Sequence, residues 1–188
     1  MSSTKIGEQS GLSLLEVTLV MAIAMVFMGI SIGTLVPALN SYRIKGDAQA
    51  IAGLISLARL RAEANFAHAS LICSSTAQPY SCQVQVTTSG SATPITEPQQ
   101  KILSTGISFA TFGTGAPTIG AGNQATPTQN MTMIFNSRGL PIDSSGNLVS
   151  NYAIYLASQN GAYYATALQA NGQPVVYFWT RNTWQLTQ

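Results

Sequence analysis

Charge is what this chain has least of. Of its 188 residues only 7% are Asp, Glu, Lys or Arg, against roughly a quarter in ordinary soluble domains. From Ala69 onward the charged side chains are Glu97, Lys101, Arg138, Asp143 and Arg181 alone. Arg43, Lys45, Arg59 and Arg61 fall earlier, the other bases are scattered, and the net charge is +2. That is a poor phosphate-binding surface, which needs a clustered basic face, so nucleic acid is an unlikely partner. Histidine occurs once, His68, and cysteine twice, Cys73 and Cys82, too few ligands for a structural metal site. There is no Gly-rich phosphate loop, HExxH helix or GxSxG elbow, and Glu63, Glu97 and Asp143 stand in unrelated contexts. No catalytic residue, cofactor or metal is expected, and the chain does not read as an enzyme.

What the chain does have is one long apolar run. Between Gly11 and Arg43 the single charge is Glu16, and residues 17–36 are apolar but for Thr18, Ser31 and Thr34. A helix of about 20 such residues is long enough to cross a bilayer core. Before it stands a short polar leader, MSSTKIGEQSG, ending in Gly11. A secretory signal carries its small-residue cleavage site after the apolar run; here the small residue comes before it, so a cut would leave the helix on the mature protein. A carboxylate near the end of a membrane helix is costly and functional by default; the plain alternative is a Glu16 at headgroup level.

The helical pattern continues. Ile44, Ala48, Ile51, Ile55, Ala58 and Ala62 recur at three- and four-residue steps, one face of an amphipathic helix. Arg59 and Glu63 are spaced for a helix-surface pair. From residue 69 the pattern becomes extended. Residues 83–87 alternate apolar and polar, and strands are predicted there and at 102–109, 131–135, 152–157, 163–168 and 175–180. Residues 89–97 and 113–129 read as loops. Turns fall at Asn136-Ser137-Arg138-Gly139, Ser144-Ser145-Gly146-Asn147, Asn160-Gly161 and Asn171-Gly172; the Asn-Gly pairs suit hairpins with positive φ at both turn positions. Tyr177, Phe178, Trp179 and Trp184 are read as core and sheet-face packing.

Gly11 followed by Leu12-Ser13-Leu14-Leu15-Glu16 resembles the leader of type IV pilins and type II secretion pseudopilins, with Leu12 in place of the usual phenylalanine. Leu60-Arg61-Ala62-Glu63-Ala64, the following His68-Ala69-Ser70-Leu71-Ile72-Cys73, and Phe135 leading into the Gly139 turn resemble the GspH/FimT family of minor pilins and pseudopilins. The family's closing glycine-arginine turn is missing here, where Asn171-Gly172-Gln173-Pro174 carries no base.

The resemblance implies an α+β fold: a long N-terminal α-helix, transmembrane in its first half and amphipathic in its second, packed on an antiparallel β-sheet head. It implies a prepilin leader at 1–11, a transmembrane or filament-core helix at 12–39, an amphipathic helix at 40–67 and a β-rich head at 68–188. A prepilin peptidase would cut between Gly11 and Leu12 and methylate the new amino group of Leu12. Glu16 would face that ammonium on a neighbouring subunit and set register, the best-attested use of a buried ion pair. The expected placement is a single pass of the bacterial inner membrane with the head in the periplasm. Partners would be the peptidase, other pilins or pseudopilins and inner-membrane lipid.

Such a compartment permits disulfides, so the resemblance implies a Cys73–Cys82 bridge contributing about 2–3 kcal/mol; two free buried thiols are the alternative. Losing Lys5 and Glu8 with the leader leaves the net charge at +2. The expected function is a structural minor subunit of a type IV pilus or a type II secretion pseudopilus, acting in filament assembly and initiation. The rival readings are a DNA-uptake minor pilin and a membrane-tethered binding domain that never polymerises.

Overall fold

The computed structural model describes residues 13–75, 78–88, 93–110, 131–149, 152–169, 171–180 and 183–187, with only the helical backbone for 30–35. One helix, α1 (Leu14–Ala64), precedes the strands β1 (His68–Ser74), β2 (Ser81–Thr87), β3 (Ile95–Ile102), β4 (Ile107–Phe109) and β5 (Met131–Phe135). After them come β6 (Pro141–Ile142), β7 (Ala153–Ser158), β8 (Tyr163–Leu168), β9 (Pro174–Thr180) and β10 (Thr183–Leu186). They form two five-stranded sheets, ordered β3-β2-β1-β5-β6 and β10-β9-β8-β7-β4. Every described strand pair is antiparallel.

The chain divides into two compact units, Met1–Leu39 and Asn40–Gln188. In the second, Ile44, Ala48, Ile51, Ile55, Ala58 and Ala62 are all fully buried, the face that the helical spacing marked. They share one core with Ala69, Leu71 and Cys73 of β1, Cys82, Val84 and Val86 of β2, and Met131, Met133 and Phe135 of β5. The other sheet adds Ile107, Phe109, Ile154, Leu156 and Leu168. These strand residues lie two apart because successive side chains point to opposite faces of a pleated strand. Thr166 of β8 donates its hydroxyl hydrogen to the Ala48 carbonyl at 3.0 Å. Behind the second sheet, Ala153, Tyr155, Ala165 and Ala167 form a smaller buried cluster with Tyr177 and Trp184.

The expected single sheet under one long helix is therefore corrected. Two five-stranded sheets carry the fold, and only the helical residues from Asn40 onward belong to the unit that contains them. The predicted strand at 102–109 is the reason a second sheet went unread. Ile102 ends β3, a turn follows in which Ile107 N–H donates to the Ser104 carbonyl and Gly106 takes φ +83°, and β4 then joins the other sheet. The predicted loop at 89–97 is likewise cut short by β3, which begins at Ile95; the loop predicted at 113–129 lies outside the described residues.

The transmembrane half is corrected too. No helix among the described residues is long and apolar enough to cross a membrane. The single-pass inner-membrane placement falls with it.

The C-terminal strands form the meander that the Asn-Gly pairs suggested, with another turn geometry. Ser158 N–H donates to the Ala162 carbonyl and Gly161 N–H to the Ser158 carbonyl; the same pattern recurs at 136–140, 143–147 and 169–173. Glycine alone takes positive φ in each, at Gly139, Gly146, Gly161 and Gly172. This is the three-residue hairpin loop, a type I turn closed by a left-handed residue. Two of these glycines also meet across the sheets: a Cβ on Gly172 would lie 2.7 Å from the Gly139 carbonyl, and one on Gly139 would strike the Glu63 carboxylate.

α1 ends in a Schellman motif, with Ala67 N–H donating to the Ala62 carbonyl at 3.1 Å and Phe66 N–H to the Glu63 carbonyl at 3.4 Å. The left-handed position in that motif favours glycine. Here it holds Phe66, at φ +48°. The bridge Cys73–Cys82 is formed, joining directly opposed residues of β1 and β2.

Two stability outcomes follow. Ile55→Ala removes a fully buried side chain and is expected to cost about 2–5 kcal/mol in denaturant unfolding. Phe66→Gly relieves a left-handed penalty of about 1–2 kcal/mol and is expected to raise the unfolding free energy by about 1 kcal/mol. An unchanged or lowered value for the glycine variant would show that the Phe66 backbone is not strained.

Candidate functional site: an exposed apolar helix with one carboxylate

Gly11 and Leu12, between which cleavage is expected, both lie outside the described residues. Ser13 precedes the helix, its carbonyl accepting the Glu16 N–H at 2.9 Å and the Val17 N–H at 3.1 Å. Ser13-Leu14-Leu15-Glu16 thus has the S-x-x-E pattern of a capping box. Glu16 sits in the first turn of α1, where the unsatisfied N–H groups favour a negative charge. This is a local reason for a carboxylate at position 16, additional to any partner.

Over residues 14–29, Glu16 and Thr18 apart, the helix is apolar on every side and largely exposed. Leu14 is 82% exposed, Met25 70% and Met28 68%, and Leu15, Leu19, Val20 and Val26 are also open. At 3.6 residues per turn these positions cover the whole circumference. Glu16, Val17, Val20, Met21 and Ala24 line a shallow groove along it. A helix that is hydrophobic all round is normally buried, and a continuous exposed apolar surface marks an interaction site.

In the unit Asn40–Gln188 the charged groups do structural work. Arg59 Nε donates to Glu63 Oε1 at 3.0 Å, the helix-surface pair that the spacing predicted. Arg61 Nη2 donates to Glu97 Oε2 of β3 at 3.2 Å, while its Nε lies 2.9 Å from Oε1 without the direction a hydrogen bond needs. Lys101 Nζ stands 2.6 Å from Asp47 Oδ1. Asp47 also accepts the Ser104 N–H at 2.8 Å and the Ser104 hydroxyl at 3.0 Å. Its side chain is 2% exposed and that of Lys101 28%.

Asp47 is the residue that sequence reasoning missed. It stands three residues after Ile44 and four before Ile51, on the buried stripe, and a carboxylate there demands a counter-charge. That spacing was the available signal.

Asp143 holds a turn rather than a reactant. The Asn147 backbone N–H, then the Asn147 side chain, keep its carboxyl below the usual range, with the Ser145 and Gly146 N–H groups adding to the effect. Among the described residues no group of histidine, cysteine or carboxylate could hold a metal ion. His68 opens β1 and is exposed.

Breaking the Asp47 pair has a defined expected cost. Lys101→Met leaves a buried carboxylate with Ser104 alone and should destabilise by about 3 kcal/mol, as for other broken buried pairs. Adding Asp47→Asn should restore part of that loss. Equal unfolding midpoints for the single variant and the parent protein would show the pair to be solvated.

Compared with known proteins, the chain matches no family model, no curated protein and no solved structure.

Proposed function

We propose that the chain is a structural minor subunit of a filament of the type IV pilus or type II secretion class, and not an enzyme. The observation that carries this reading is the exposed, all-round apolar helix, with one carboxylate in its first turn, behind a glycine at the spacing of a prepilin leader. Such a surface has favourable free energy only when covered, at about 25 cal/mol per Å² of apolar area removed from water. Helices of neighbouring subunits, packed side by side, cover it. A prepilin peptidase cuts between Gly11 and Leu12 and methylates Leu12. Glu16, which lies on the helix groove, then accepts the ammonium group of a neighbour and fixes the register between subunits.

Two further observations support the reading. The Cys73–Cys82 bridge suits a head that works in an oxidising compartment. The ion pairs of Arg59, Arg61 and Lys101 lower the positive potential open to a polyanion, which disfavours DNA uptake as the primary role. A member of the GspH/FimT family would act at filament initiation, in pilus function or protein export.

Mass analysis of the N-terminus in the native host tests the processing, with a chain beginning at methylated Leu12 as the expected result. An intact Met1, or a cut beyond Val36, would overturn the reading. Glu16→Ala should leave the abundance of the protein unchanged and reduce its incorporation into filaments several-fold. Equal incorporation would remove the register role.

A further inference from the structure

We propose that Met21, Met25 and Met28 form an oxidation site on the packing face of α1, where a peroxide converts the thioethers to sulfoxides and thereby keeps the chain out of the filament. The inference rests on the filament reading and adds to it a regulation of the helix surface.

The three methionines stand at i, i+4 and i+7, which gathers them within about 60° of arc and about 10 Å of helix length. They are open: Met21 is 59% exposed, Met25 70% and Met28 68%. Met21 also lines the groove that holds Glu16. Two methionines of the head are the opposite case, Met131 at 3% and Met133 at 0% within the core. A buried sulfur is shielded from an aqueous oxidant, so the chain carries its own control.

The oxidant is hydrogen peroxide. The methionine sulfur gives an electron pair to one peroxide oxygen, the S–O bond forms and the O–O bond breaks. The second oxygen takes up the proton of the first and leaves as water. Sulfur is oxidised by two electrons and the peroxide is reduced by two. Both cysteines are held in the Cys73–Cys82 bridge and none is free, so no thiol of this chain competes for the oxidant.

The product is a polar, chiral side chain, with an oxygen that accepts hydrogen bonds and cannot donate them. Among residues 17–29 the only side chain with a hydrogen-bond donor is Thr18, and its hydroxyl donates to the Leu15 carbonyl at 2.9 Å. A sulfoxide pressed against a neighbouring apolar helix therefore loses its bonds to water and gains none from its own helix, the costly form of polar burial. Once the helix is packed its sulfurs are out of water. The modification thus acts on free copies and spares incorporated ones.

The test treats native-host cells that express both the full parent chain and the triple variant Met21→Leu, Met25→Leu, Met28→Leu with hydrogen peroxide. Filament-borne and free copies are then separated and mapped by peptide mass. Leucine keeps the apolar volume and has no sulfur. In free parent copies, sulfoxide is expected at positions 21, 25 and 28 and not at 131 and 133, and filament-borne copies should carry little of it. New incorporation should fall by about tenfold or more for the parent and stay unchanged for the variant. Sulfoxide spread equally over all five positions, or equal in free and filament-borne copies, overturns the proposal and leaves the filament reading standing. Incorporation that is unchanged, or that falls equally in both chains, does the same. Comparing free with filament-borne parent copies needs no variant, so it decides the matter if the leucine chain fails to incorporate. A parent chain absent from filaments before any peroxide is added overturns both readings.

Discussion

Burial of one helical face between two sheets is the constraint on which this fold depends. The face is built from isoleucine and alanine: Ile44, Ala48, Ile51, Ile55, Ala58 and Ala62, all without solvent exposure. The isoleucines fill the space between strands, and the alanines let backbone come close. That closeness is visible at Ala48, whose carbonyl accepts the hydroxyl of Thr166 from the far sheet. A larger residue at 48 would push the sheet away from the helix and break the bond. Dense interiors tolerate such overpacking poorly.

Polar ties hold this sandwich where the apolar contacts end. Asp47 anchors the start of the packed helix to Lys101 and Ser104, and Arg61 anchors its end to Glu97. Both carboxylate–base pairs reach β3 or the turn after it. The strand at the edge of its sheet is thereby fixed at two points. At the other side of the helix end, Gly139 and Gly172 bring a turn from each sheet against Arg59 and Glu63. Charge is scarce in this chain, and much of it is placed at these junctions.

The sequence was informative wherever a period or a turn residue determined the outcome. The helix face and the strands β5, β7, β8 and β9 were legible because spacing alone sets which side of an element is apolar, and the glycine turns because their residues mark them; the Cys73–Cys82 pairing came from the family resemblance and the compartment it implies. The second sheet was not. Whether Ile107 and Phe109 continue β3 or cross to pair with Ser158 and Leu156 depends on a turn at Gly106 and on partners some fifty residues away, which local pattern does not encode. Asp47 was hidden for a similar reason, since its partners Lys101 and Ser104 lie far along the chain. Within the apolar helix, Glu16 was legible as an exception to its surroundings, while the capping geometry at Ser13 needed coordinates. The long apolar run promised a membrane span that the described helix does not supply.

The order of the strands has a consequence for how such a chain is made. Ala48 and Thr166 are 118 residues apart, and the strands that cover one side of the helix are among the last to be synthesised. At roughly 5–20 residues per second, the isoleucine face waits about 6–24 s for its cover. The Cys73–Cys82 hairpin can close early, because its two strands are adjacent in sequence, but it shields only the other side. Contacts of such long sequence range are slow to form, and unpaired strand edges beside bare apolar surface invite aggregation. This topology therefore places its main hazard before folding is complete, in the interval when the nascent chain needs a holding partner.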